Sequence, residues 1–183
     1  MTPIHIIPLG NGSGPPAPSL GVLEHLAATL VRSFRAPCRI RPEPFDLSFA
    51  LDQGRGQYHS TAILQRLDRT TEPDVRILGV TSCDLYVPVL TFVFGEAQLE
   101  GNCAVVSTAR LSDEFYGLPP RPELFMERLV KEAAHEIGHT YGLRHCADWR
   151  CVMASSHAVE RLDVKTAEFC ATCRKPLNAN GSF

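Results

Sequence analysis

Within "HEIGHTYGLRHCADWRC", His135 to Cys151, three histidines, a glutamate and two cysteines fall inside seventeen residues. His135 and His139 are four apart. On a helix that spacing puts both imidazoles on one face, a turn apart, which suits two ligands of one tetrahedral zinc at about 2.0–2.1 Å from each nitrogen. Glu136 is offset by one position. It does not join that coordination easily, but it reaches a water on the metal and is the candidate general base. Gly142 allows the helix to stop and the chain to turn at positive φ, so that His145 can return as third protein ligand. Three protein ligands leave a fourth position open, the arrangement of catalytic rather than structural zinc. The bland alternative, an amphipathic helix with incidental histidines, has no reason to produce all five residues at these offsets.

A second ligand set begins one residue later. Of seven cysteines, Cys38, Cys83 and Cys103 show no ligand spacing, whereas Cys146, Cys151, Cys170 and Cys173 form two pairs joined by a short loop. Such pairs read as a four-thiolate zinc site, closed on all sides and therefore structural. The alternatives are free thiols or a redox pair of Cys170 and Cys173. A redox pair wants a βαβ context and a helix start beside the first cysteine, and residues 160–169 read as neither. The expectation is two Zn2+ per chain, sharing a hinge at which His145 faces one metal and Cys146 the other.

These residues must be held by something. "IHIIPL" reads as a strand and "GNGSGPPAPS" (10–19) as a loop. Leu23, Leu26, Ala27, Leu30, Val31 and Phe34 mark a helix ending before Pro37, and "CRIRP" a strand. "STAILQRLDR" (60–69) is a second helix with Ser60 as N-cap. "VRILGVT", "TFVFGEA" and "CAVVSTA" read as strands. A third helix follows "GLPPRP", with Phe125, Leu129, Val130, Ala133 and Ile137 as its buried stripe and an end near Tyr141. This order predicts an α/β (α+β) fold, a mixed twisted sheet with helices packed on it. Residues 1–142 form an N-terminal subdomain that includes the active-site helix. Residues 143–183, with little periodicity, form a small zinc-bound C-terminal subdomain of one compact catalytic domain.

Composition narrows the partners. A net charge of −2 and scattered lysines and arginines give no reason to expect nucleic acid or an anionic membrane. The N-terminal residues lack the cationic start and long apolar run of a signal peptide, and no stretch is apolar enough to span a bilayer. The expectation is a soluble, cytoplasmic monomer whose partner is a peptide or protein substrate.

H-E-x-x-H-x-x-G-x-x-H with a methionine downstream resembles the metzincin clan of zinc metallopeptidases. The added C-x-x-x-x-C-x-M and C-x-x-C, here "HEIGHTYGLRHCADWRCVM" and "FCATC", are similar to the archaemetzincins. The resemblance extends upstream through "TSCDLYVPVLTFVFGEAQLEGNCAVVSTARL". It implies that His135, His139 and His145 bind the catalytic zinc, that Glu136 is the general base, and that Met153 is the Met-turn residue beneath the imidazoles. From the residues alone Met153 reads as core filler. The resemblance also implies that "CAVVSTA" is the edge strand beside the cleft, where an extended peptide can add. Where astacin-like relatives carry a tyrosine two residues after that methionine, this chain has Ser155. Oxyanion stabilisation then falls to zinc or another group, with Tyr116 and Tyr141 to be weighed against simple packing.

The leading reading is a zinc peptidase, with an aminopeptidase-like or otherwise narrow preference among those the resemblance implies. Its rivals are a non-catalytic zinc-stabilised peptide-binding module and a hydrolase of a non-peptide amide or ester. Glu136 separates the first rival, since a binding site gains nothing from a buried carboxylate beside the metal. His5, His25, His59 and His157 lack ligand spacing and read as surface or core, His157 being nearest the cleft in sequence. Asp84 reads as a cap or loop carboxylate, Trp149 as loop packing, and Lys165 and Asp163 carry no assignable role.

Overall fold

The apolar run Ile4–Leu9 (β1) lies inside a sheet because both its faces find cover: Ile4 and Ile6 enter one buried cluster, Ile7 and Leu9 another. The computed structural model describes residues 2–10, 14–42, 45–69 and 74–179, so residues 11–13 of the expected loop and 180–183 of the expected C-terminal subdomain lie outside the described residues. The sheet has five strands in the order β2 (Cys38–Ile40), β1, β5 (Arg76–Thr81), β8 (Cys103–Ser107) and β7 (Gly95–Ala97). The first four are mutually parallel and β7 runs antiparallel to β8. Of the parallel strands, β1, β5 and β8 carry near-continuous apolar runs, as strands buried on both faces do.

This corrects the expected cleft edge. Every residue of Cys103–Ser107 is buried and the strand lies between β5 and β7; the edge is the short, half-buried β7. A second sheet of β3 (Leu51–Asp52), β4 (Gln57–His59) and β6 (Leu85–Tyr86) is absent from the sequence reading, because runs of two or three residues have no periodicity to detect.

Helices α1 (Leu20–Phe34) and α3 (Pro122–Thr140) pack on one face of the five-stranded sheet and α2 (Ser60–Asp68) on the other. The α1 stripe is as expected at Leu23, Leu26, Leu30 and Phe34, but Val31 is exposed at its margin. Ser60 is the first residue of α2 rather than its N-cap, which is His59. The Ser60 hydroxyl lies within hydrogen-bond reach of the Tyr86 carbonyl and of Glu96 of β7, to either of which it can donate its one proton, and Thr61 Oγ1 donates to Glu96 Oε1 at 2.8 Å. The anchored carboxylate therefore ties the edge strand to a helix N-terminus, where negative charge is favoured.

The C-terminal segment holds two short helices that periodicity did not reveal, α4 (Val159–Val164) and α5 (Ala171–Ala179). Phe34 at the end of α1 stacks on Tyr141 at 5.6 Å and meets Phe169 edge-on at 5.4 Å. Arg174 Nη1 donates to the Ser33 carbonyl at 2.6 Å. Among the described residues no helix is long and apolar enough to cross a membrane.

Candidate metal centres and active-site cleft

Helix α3 is unlike an amphipathic surface helix. From Arg128 to Gly138 every residue is buried, including Arg128, Lys131, Glu132, His135 and Glu136, because the sheet, α1 and the C-terminal segment each cover part of it. Phe125, expected in the stripe, is only half-buried, near the exposed start of the helix. The helix ends as the glycine predicts. Gly142 sits at φ +83°, its N–H donates to the His139 carbonyl at 2.9 Å, and the Leu143 N–H donates to the Gly138 carbonyl at 3.1 Å. These two bonds make a Schellman stop. The Thr140 carbonyl accepts from Arg76 Nη1 at 2.7 Å, a further cap supplied by β5.

The reversed chain brings His145 back to the helix. Ring centroids are 4.6 Å apart for His135 and His139, 5.3 Å for His135 and His145, and 5.1 Å for His139 and His145. His135 Nδ1 bonds the Val152 carbonyl at 2.9 Å and His139 Nδ1 the Leu143 carbonyl at 2.7 Å. Each bond fixes the ring so that Nε2 faces inward, as metal-ligating histidines require. Burial pushes the pKa of all three below the usual imidazole value, most strongly at His135, which keeps the rings neutral and free to donate a lone pair.

Glu136 is buried against β7. A Cβ at Gly95 would lie 2.7 Å from Glu136 Cγ and 2.8 Å from the Val105 carbonyl, so only glycine lets the edge strand pass this close. Gly138, one turn from His135, is also closely packed: a Cβ there would lie 2.5 Å from Met153 Sδ, a side-chain rather than a backbone contact. Met153 is thus seated against the helix stretch between the two histidines, and it is also wholly buried core. Burial first, then the neighbouring Glu132, holds the Glu136 carboxyl well above the ordinary carboxylate range. Burial raises Glu132 likewise, with Lys165 opposing. Lys165 is itself 2% exposed. Its ammonium donates to the Val152 and Ala154 carbonyls on either side of Met153, each at 3.0 Å.

The four clustered cysteines also converge. Cys146 Sγ and Cys170 Sγ are 3.8 Å apart, and the Cys170 N–H donates to Cys151 Sγ at 3.3 Å. Backbone bonds from Cys146 N–H to the Met153 carbonyl and from Val152 N–H to the Glu168 carbonyl, both 2.9 Å, hold the loops in register. One correction concerns Cys170: α5 begins at the next residue, so the helix start that a redox pair wants is present. The gathering of all four sulfurs still separates a metal site from a lone dithiol.

Zinc fits both clusters. The ligand atoms of His135, His139 and His145 lie within 4.8 Å of one another, and so do those of the four cysteines. Two nitrogens on a tetrahedral zinc stand roughly 3.3 Å apart and two sulfurs roughly 3.8 Å. The observed Nε2–Nε2 separation of His135 and His139 is 3.1 Å, and the Sγ–Sγ separation is that quoted above.

Two cavities of about 290 and 550 Å3 meet at the histidines, both lined by Gly95, His135, Glu136 and His145. His157 lines the smaller and faces Ser155 Oγ at 3.3 Å. His25 is exposed on α1 and His59 stacks on Tyr86; neither these nor His5 belongs to a ligand cluster among the described residues. Tyr141 is packed between Phe34 and the Arg76 guanidinium. Tyr116 donates to the Arg110 carbonyl at 3.0 Å. Asp84 is paired with Arg110 at 2.7 Å, Asp163 with Arg128 at 2.6 Å, and Trp149 is exposed. Gly95, Glu132 and Lys165 were missed at the site. A lone glycine inside a strand pattern was the available signal for Gly95, whereas nothing local marks Lys165.

The model of peptidase family M54 matches residues 48–179. The chain belongs to this family, the archaemetzincins. It is 45% identical over 146 residues to archaemetzincin of Methanocaldococcus jannaschii, covering 80% of each chain. The crystal structure of archaemetzincin from Archaeoglobus fulgidus complexed with malonate is 39% identical, covers 95% of this chain and 99% of that one, and superposes with a TM-score of 0.79. A zinc-dependent peptidase from Methanocorpusculum labreanum superposes with a TM-score of 0.84 at 30% identity, covering 96% and 100%. The mixed sheet and its packed helices are the archaemetzincin fold.

Proposed function

We propose that this archaemetzincin is a zinc-dependent peptidase. His135, His139 and His145 hold the catalytic zinc, Glu136 is general base and then proton donor, Met153 is the Met-turn residue, and Cys146, Cys151, Cys170 and Cys173 hold a structural zinc. The observation that carries this reading is the convergence of three oriented imidazoles beside a buried glutamate, on a helix end open to a cleft.

Zinc held there supplies Lewis acidity and brings the pKa of a water toward about 7. Glu136 takes the proton of the attacking water at a carboxylate oxygen. Its raised proton affinity, set by burial and by Glu132, lets it retain that proton until the amine leaves, and then deliver it. β7 offers its free backbone edge to an extended substrate, and Gly95 keeps that edge in contact with Glu136.

The test is a peptide-library digest read by mass spectrometry, with wild type beside Glu136→Ala and both zinc-loaded. Cleavage by wild type alone is expected, and the distribution of cut sites divides aminopeptidase-like from internal cleavage. Silence from both proteins, with two zincs bound, would favour the binding module or a non-peptide amide or ester.

A further inference from the structure

Two residues that line the cleft carry polar atoms left without a partner within the protein. Glu132 Oε2 and Ser156 Oγ are buried and without a hydrogen-bond partner, although the Glu132 carboxyl also shares a side-chain hydrogen bond with Glu136. Both residues line the 290 Å3 cavity beside His135, Glu136 and His145. Glu132 is 5% exposed and stands on α3 one turn before Glu136. A buried acceptor without a donor is unfavourable and calls for a partner from outside the protein. The nearest internal cation does not serve: the Lys165 ammonium is turned to the Val152 and Ala154 carbonyls.

The rest of the cavity narrows the partner. Leu90, Phe92, Val93 and Phe94 form an apolar wall, suited to the aliphatic stem of a long side chain. A buried carboxylate and a hydroxyl in the same lining suit its charged tip. An acidic side chain would meet Glu132 and Glu136 together, and an aliphatic one would leave both orphan atoms unpaired.

We infer that this cavity receives a cationic side chain, lysine or arginine, from the substrate residue flanking the scissile bond, with Glu132 Oε2 accepting its charge-assisted hydrogen bond. The inference rests on the peptidase reading for the words "scissile bond"; the cavity's preference for a cation does not. Glu132 is then a specificity-determining residue, with Ser156 as a secondary contact.

The test uses short peptides carrying an uncleavable ketomethylene link in place of one amide, with lysine or its uncharged isostere norleucine on either flank. Binding to zinc-loaded wild type, Glu132→Gln and Ser156→Ala is measured by calorimetry. We expect wild type to prefer lysine by about tenfold or more, Glu132→Gln to lose that preference, and Ser156→Ala to lose part of it. The ratio within each protein is the readout, so a general weakening of a variant cancels. Equal binding of the two peptides, no binding of either, or a preference that survives Glu132→Gln would overturn the inference and leave the cavity to water. The matching amide peptides are run alongside. If they bind with the expected preference yet stay intact, the peptidase reading fails while the cation site stands.

Discussion

The two ligand clusters are joined at His145–Cys146 and are built in opposite ways. Two of the three histidines ride on one 19-residue helix, with their rings fixed by backbone carbonyls, and the third side is left to a cleft. The four cysteines come from loops and the start of a short helix, and their sulfurs gather within 4.8 Å of one another. A helix keeps ligand geometry by itself and can leave a coordination position empty. Loops cannot, so a closed site has to draw part of its rigidity from the metal. One cluster is positioned by the fold; the other helps to position the fold.

Breaking each cluster should therefore give different results. Cys173→Ser is expected to have the largest effect: metal content falling from two ions to one, with a steep drop in thermal stability, because binding free energy on the order of 10 kcal/mol is coupled to folding at such sites. His145→Ala, by contrast, should lose the other metal with little change in melting. If the histidine cluster of Cys173→Ser keeps wild-type zinc affinity by metal-competition titration, the proposed coupling through the hinge is wrong.

Lys165→Met comes next. It strips the donor from two carbonyls flanking Met153 and removes the cation opposing Glu132 and Glu136. Destabilisation of about 3 kcal/mol is expected in urea, with poorer zinc retention at the histidines, since the Val152 carbonyl also orients His135. Gly142→Ala should cost about 1–2 kcal/mol from its positive φ. Wild-type stability in that variant would remove the Schellman stop as the device that returns His145.

The smallest effect concerns pH. Glu136 has its pKa raised in the fold above the ordinary 4.5, so its contribution to stability is full below that value and declines as pH rises through the folded pKa. Metal-free Glu136→Gln should therefore gain stability over wild type as pH goes from about 4.5 to 8. A constant difference across that range would contradict the shift.

The histidine and cysteine clusters were legible because fixed offsets on a helix, and cysteine pairs, need no tertiary information. The main helices and long strands announced themselves by period. The short β3, β4 and β6 and the six-residue α4 did not, since their few residues are held by neighbours rather than by pattern; α5 was hidden by Pro176, a residue that reads against a helix interior. The edge strand was misplaced for a related reason: Cys103–Ser107 is the more strand-like segment, and that very continuity marks it as interior. Lys165 and Glu132 were invisible as partners because a charged residue reads as solvated until the chain folds over it.

Phe34 has a consequence for anyone who would shorten this chain. The stretch matched by the family begins at residue 48, yet a ring from residue 34 is wedged between the end of the active-site helix and the cysteine segment, and β1 lies in the interior of the sheet. The recognisable part is thus not a portable part. A fragment starting near residue 48 would carry every proposed ligand and lack the surface on which those ligands are assembled.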